Sequence, residues 1–298
     1  MILKDLPELL TLRDVLRYAV SRFNAASLSF GHGSDNAWDE AVYLALHHLH
    51  LPLDTLEPFL DARLLSSERQ GLLDLIAKRV QQRLPAAYLT GEAWLRGYRF
   101  EVTADVIVPR SPIAELLDEE RVPGLSLSDS PGRILDMCTG SGCLAIIAAH
   151  LWPEAEVDAV DVSEQALAVA RRNVATHGLE NRLELIHSNL FEQLGPERQY
   201  GLIICNPPYV NSQSMDALPP EYRHEPELAL AGGNDGMDLV RRILEAAPRH
   251  LTDDGLLLLE IGHERPYFEA AFPELNPLWL ATHGAEDHIL LLRRTDLA

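Results

Sequence analysis

The chain is poor in cysteine, in positive charge and in long apolar runs, and each shortage excludes a class of protein. Cys138, Cys143 and Cys205 are its only cysteines, with neither CxxC spacing nor an even count. A disulfide framework and a thiolate metal site are therefore excluded, and a reducing compartment is expected. No run of about 18 apolar residues occurs, so no transmembrane helix and no membrane partner are expected. The opening Met1-Ile2-Leu3-Lys4-Asp5-Leu6-Pro7 lacks the basic-then-apolar order of a signal peptide, which makes a cytoplasmic location the expectation. His47, His48 and His50 miss the i, i+4 spacing of a helical zinc site, so no metal is expected. Internal repeats and low-complexity tracts are absent too.

The shortage of positive charge is the most informative. There are 25 Lys and Arg against 45 Asp and Glu, a formal net charge of −20. Up to Glu92 the chain holds 9 basic and 12 acidic residues, and the remainder holds 16 and 33. The acidity belongs to the C-terminal two-thirds. A field of that sign repels phosphate backbones and draws cationic partners inward, so direct nucleic-acid specificity is not expected.

What is present is ordinary globular make-up, 47% hydrophobic and 23% charged, in 298 residues. That is enough for one large domain with a smaller one. From Leu9 to about Arg83 apolar residues recur at helical spacing, as in Leu12, Val15, Leu16, Ala19, Val20 and Leu72, Leu75, Ile76, Val80. Ser66-Ser67-Glu68 reads as a helix start, and the region as a bundle of four or five helices. Gly97 to Val102 and Val106 to Pro109 read as a linking hairpin turned at Thr103-Ala104-Asp105. The Ser-, Pro- and Gly-rich stretch from Pro123 to Gly132 reads as a surface loop.

From Arg133 strands and helices alternate. Strands are expected at Ile134–Asp136, Val157–Asp161, Leu183–Ile186, Leu202–Cys205 and Leu256–Ile261. Such alternation means parallel strands with crossover helices. Leu278-Trp279-Leu280 and Ile289 to Leu292 close the chain with no helix between them, a terminal hairpin that adds an antiparallel strand. The expected domains are residues 1–90 as a helical substrate-recognition unit, 91–112 as the hairpin and 113–298 as the α/β unit.

Two motifs carry chemistry. Asn206-Pro207-Pro208-Tyr209 follows an apolar strand, and ligands of open α/β sheets lie just past the carboxyl ends of strands. The two prolines have fixed φ and no N–H, so the turn is rigid and offers carbonyl acceptors only. An amide side chain, acceptor-only backbone and an aromatic face suit a planar NH₂ group. The second motif, Gly140-x-Gly142-x-x-Ala145, has Asp161 nineteen residues beyond Gly142. That pattern alone also fits a dinucleotide oxidoreductase. Three features favour S-adenosylmethionine instead. Asp136 precedes the loop with a carboxylate suited to an ammonium and not to a pyrophosphate, no Lys or Arg lies in the loop, and the terminal hairpin departs from an all-parallel sheet. Gly140 and Gly142 let backbone approach the cofactor. Asp161 would accept from both ribose hydroxyls, while Ser163 is the better helix cap.

Together Asp136-x-x-x-Gly140-x-Gly142, Asp161, Asn206-Pro207-Pro208-Tyr209 and the segment Leu230-Ala231-Gly232-Gly233-Asn234-Asp235-Gly236 resemble the class I methyltransferases. More narrowly, they resemble the HemK-like protein glutamine N5-methyltransferases, and the resemblance spans nearly the whole chain. It implies a Rossmann-like α/β fold with a seven-stranded mixed sheet, a small N-terminal helical domain and a linking β-hairpin. The activity implied is methylation of a glutamine in a translation protein. One branch modifies peptide-chain release factors, the other the third protein of the large ribosomal subunit. Pro109-Arg110-Ser111-Pro112 departs from the Pro-Arg-Pro-Glu of the release-factor branch, and Phe30 to Glu40 resembles the ribosomal one. A basic ribosomal protein is thus the expected partner, with release factors as the alternative. The resemblance further implies cofactor contacts from Cys138, Thr139, Asn189, Leu190 and Asn206, with Asn189 standing where an acidic residue is common. Phe100 is expected to wall the site.

The expected chemistry is positional. The Asn206 side-chain oxygen and the Pro207 carbonyl would accept the two protons of a glutamine amide, with Pro208 and Tyr209 shaping and stacking on its plane. An adenine-N6 methyltransferase would use the same tetrapeptide on a flipped base, but the acidic field opposes it. A non-catalytic relative is opposed by the intact Asn206 and Asp161.

Overall fold

The computed structural model describes residues 6–284 and 286–297, which form two compact units. One holds the chain up to Ala93 together with Pro219–His224; the other holds Trp94–Leu218 and Glu225–Ala298. The sequence places 219–224 within the α/β region, so this return of six residues to the helical unit is a departure from the uninterrupted domain expected there.

The helical unit contains α1 (Leu12–Ala25), α2 (Ala37–His48), α3 (Ser66–Gln82) and α4 (Ala86–Thr90). Helix α1 starts at a capping box in which Thr11 and Asp14 satisfy each other's backbone N–H groups. Asn36 caps α2 through the N–H groups of Trp38 and Asp39. Helix α3 starts at Ser66 as expected, with Glu68 accepting from the Leu65 N–H. Leu12, Leu16, Phe23, Leu44, Leu73 and Ile76 form its core. Beside that core lies a buried ion network. Arg79, 0% exposed, donates to Glu40 at 2.6 Å and to Glu221 of the returning segment at 3.4 Å. Arg83 also donates to Glu221, at 2.9 Å.

The boundary between units falls inside β1 (Glu92–Leu95), which pairs with β2 (Tyr98–Glu101). The hairpin is therefore one strand earlier than expected and turns at Arg96-Gly97, both with positive φ. Val106 to Pro109 forms no strand, because the Val108 N–H donates to buried Glu225 at 3.0 Å instead of to a ladder. After α5 (Ile113–Asp118) come β3 (Arg133–Met137), α6 (Cys143–Leu151), β4 (Glu156–Asp161), α7 (Glu164–Thr176), β5 (Leu183–His187) and β6 (Tyr200–Cys205). The chain continues through α8 (Ser212–Ala217), α9 (Asp238–His250), β7 (Leu251–Glu260), α10 (Arg265–Ala271), β8 (Leu278–Leu280) and β9 (Ile289–Arg293).

Seven strands form one sheet in the order β5-β4-β3-β6-β7-β9-β8. Pairs from β5 to β7 are parallel, and β9 runs antiparallel to both β7 and β8. Each sheet face buries its own cluster. Ile134, Ala159, Leu202, Ile204 and Leu258 pack toward α6, while Leu135, Val160, Ile203, Leu257 and Leu259 pack with Val240, Ile243 and Ala247 of α9. Burial on both faces explains why these strands read as continuous apolar runs. The order reverses between β3 and β6, and a crevice opens at their carboxyl ends.

Candidate active site

The loop after β3 is shaped by backbone that few residues tolerate. Cys138 has φ +61°, Gly140 φ +56° and Gly142 φ +81°. At Gly142 an added Cβ would come within 3.3 Å of Ala170 on α7, so the loop and that helix touch there. Two carboxylates hold the loop. Asp136, 1% exposed, accepts from the Thr139 hydroxyl at 2.6 Å and from the Ala145 N–H at 3.0 Å. Desolvation pushes its carboxyl up to about 7, against the pull of those two donors. Asp161 accepts from the Gly140 N–H and the Ser163 N–H, each at 2.9 Å, and burial raises its pKa as well. Ser163 itself caps α7 through the Ala166 N–H.

The loop after β6 is held differently. In Asn206-Pro207-Pro208-Tyr209 both prolines are buried and Asn206 and Tyr209 are half-buried. The following Val210 pairs with Ala231 in a parallel bridge, donating to the Leu230 carbonyl and accepting from the Gly232 N–H. A Cβ at Gly232 would lie 2.7 Å from the Tyr209 Cα, and one at Gly236 would lie 2.2 Å from the Tyr209 carbonyl oxygen. Only glycines permit that approach, which accounts for the Gly232-Gly233-Asn234-Asp235-Gly236 segment. The Tyr209 hydroxyl donates to Glu260 at 3.0 Å.

The two loops share a cavity of about 330 Å³. Cys138, Gly140, Asp161, Asn189, Leu190, Asn206 and Pro208 line it, so the structure brings these expected residues together. Asn189 is steadied by its amide N–H donation to Glu192 at 2.8 Å. Asp136, Thr139 and Gly142 support the loop from beneath, while Pro207 and Tyr209 belong to the adjoining turn and do not line the cavity. Phe100 is elsewhere. It is 0% exposed in the core cluster with α6, its ring 5.5 Å from that of His177, because β2 packs inward on α7.

The cavity has two walls that the sequence reading missed. Asp105, Val106 and Ile107 form one; Pro226, Leu228 and Ala229 form another. They are tied to each other by a bidentate pair between Arg110 and buried Glu225, one arm of which is 2.7 Å. The misplaced hairpin hid the first wall, and no periodic pattern marks the second. Glu260 was missed as well, although a lone carboxylate within the apolar run Leu256–Ile261 was its signal.

A seven-stranded sheet of this order, with β9 antiparallel, a glycine loop after β3, an acid ending β4 and an Asn-Pro-Pro-Tyr turn after β6, is that of a class I methyltransferase. The Methyltransferase small domain family matches residues 123–218. Three full-length relatives narrow the class. A ribosomal protein uL3 glutamine methyltransferase from Bordetella pertussis is 68% identical over 290 residues, with 97% of each chain covered. Proteins of the same name from Burkholderia pseudomallei and Neisseria gonorrhoeae are 56% and 54% identical, covering 96% and 97% of this chain and 95% and 96% of theirs. The chain belongs to the ribosomal protein uL3 glutamine methyltransferase family, and it is a protein-glutamine methyltransferase.

Proposed function

We propose that the chain methylates the side-chain amide nitrogen, N5, of a glutamine in ribosomal protein uL3, the third protein of the large subunit. Near full-length identity of 68% to a relative of that name carries the substrate assignment. The charge agrees with it, since the −20 net charge draws a basic ribosomal protein inward.

The methyl donor is S-adenosylmethionine, and the residues present fit it. Asp161 spends one lone pair of Oδ2 on the loop and one of Oδ1 on the Ser163 N–H, and keeps acceptor capacity for two ribose hydroxyls. Gly140 has open space where a Cβ would stand, so backbone is accessible there. Asn189 and Leu190 line the cavity, and in this reading they face the adenine. When bound, this cofactor supplies an electrophilic methyl group.

Everything else falls to the chain. A glutamine amide nitrogen is a weak nucleophile because its lone pair is delocalised into the carbonyl. Asn206 through Oδ1 and Pro207 through its carbonyl accept the two amide protons and turn the nitrogen toward the methyl. The same two acceptors stabilise positive charge as it develops on that nitrogen. Tyr209 stacks on the amide plane. No base acts before transfer, since the amide proton becomes acidic only afterwards. In the test, purified enzyme and labelled S-adenosylmethionine are incubated with isolated uL3 and, separately, with a release factor. Label in uL3 is expected; label in the release factor alone would reverse the substrate assignment.

A further inference from the structure

Glu260 is the last residue of β7 and is 5% exposed between Leu259 and Ile261, both 0% exposed. Burial raises its carboxyl above the usual range despite hydrogen bonds from Ser111 and Tyr209 and the nearby Arg110 charge. Both oxygens are taken by neutral hydroxyls: Tyr209 donates to Oε1 and Ser111 to Oε2. A carboxylate in an apolar strand with no bidentate cationic partner is costly, and an apolar side chain would serve the core better. Its partner on the functional tetrapeptide supplies a reason for keeping it. The hydroxyl end of the Tyr209 ring also abuts Gly262, where a Cβ would lie 2.6 Å from Cε2 and 3.0 Å from Cζ. The phenol end of the ring is thus hydrogen-bonded to a carboxylate and packed against a residue with no side chain.

We propose that Glu260 is a positioning residue of the glutamine clamp: with its second oxygen fixed by Ser111, it sets the plane of the Tyr209 ring on which the substrate amide stacks. The inference rests on the glutamine reading above and adds to it a residue that touches neither substrate nor cofactor. Tyr209→Phe and Glu260→Leu should each lower kcat roughly tenfold with the KM for S-adenosylmethionine unchanged. The double variant should be no slower than the worse single one, because both changes remove the same hydrogen bond. Glu260→Gln keeps an acceptor for the phenol and should restore most of kcat, which separates ring placement from loss of fold. Losses that multiply in the double variant, or a Glu260→Leu variant as fast as wild type, overturn the proposal. Should wild type leave uL3 unlabelled, the glutamine reading fails, and ring motion still decides the role of Glu260. In NMR of ring-labelled tyrosines, Tyr209 should reorient faster in Glu260→Leu than in wild type. Equal rates overturn the proposal, whatever protein is methylated.

Discussion

The loops after β3 and β6 leave neighbouring strands, with Met137 level with Cys205, yet they are built on opposite principles. The first gets its shape from left-handed backbone at Cys138, Gly140 and Gly142, and its place from Asp136 and Asp161, which accept its N–H and hydroxyl groups. The second gets its shape from two prolines and its place from glycines that let another segment press against Tyr209. Cys138 and Gly140 of the first loop line the cavity with Asp161 beside them; the second loop, in the reading proposed above, offers acceptors to the substrate. A carboxylate suits the hydroxyls of a ribose, and carbonyl acceptors suit an amide NH₂. The contrast makes a concrete demand: cofactor affinity should fall when the Asp161 carboxylate is removed, and turnover when an acceptor of the second loop is lost or a methyl is pressed against it.

The largest effect is expected at Asn206. Replacement by Ala removes one of the two proposed amide acceptors, and turnover should fall by about three orders of magnitude or more, some 4 kcal/mol of barrier. Calorimetry should show S-adenosylmethionine binding retained, and substantial residual turnover would break the comparison at its centre. Asp136 comes next, through stability. Its folded value of about 7 lies above its ordinary value of 3.8, so the fold holds the proton more tightly than the unfolded chain. The stability tied to that proton is complete below about pH 4 and is lost as pH rises to about 7, a change on the order of 4 kcal/mol. Urea unfolding across this range should therefore show wild type losing stability relative to Asp136→Asn, whose amide does not titrate. A constant difference between the two would contradict this.

Smaller effects sharpen the division of labour. Asp161→Ala should weaken S-adenosylmethionine by roughly 10- to 100-fold, from lost hydrogen bonds to a charged acceptor, with the KM for uL3 little changed. An equal rise in both constants would mean that the two loops are not separable. Gly236→Ala adds a methyl 2.2 Å from the Tyr209 carbonyl at φ +80° and should cost about 1–3 kcal/mol of stability. It should also lower kcat with S-adenosylmethionine affinity intact, measured by denaturation and calorimetry on the same protein.

Much of this was readable in the chain. The central strands β6 and β7 announce themselves because burial on both faces leaves apolar runs at 202–205 and 256–259, and the terminal hairpin shows in its short connection. The cofactor loop and the Asn-Pro-Pro-Tyr turn are local motifs whose shape is dictated by their own glycines and prolines. The misses are long-range. Val106 to Val108 has strand composition, but the Val108 N–H finds Glu225 over a hundred residues away. Phe100 carries no mark separating a core aromatic from a wall of the site. Glu260 and Ser111 are 149 residues apart, and only the completed sheet brings their oxygens together.

The return of Pro219–His224 to the helical unit bears on how the protein can be taken apart. Glu221 supplies the buried counter-charge for both Arg79 and Arg83, yet it lies twelve residues beyond Tyr209 in the chain. A fragment ending at Ala93 would keep both guanidiniums and lose that anion, leaving Arg79 to Glu40 alone. The helical unit is therefore not a portable module. Grafted onto another scaffold, it would need its missing hexapeptide supplied as a separate strand of sequence, and recombination at the apparent boundary would separate an arginine pair from its acid.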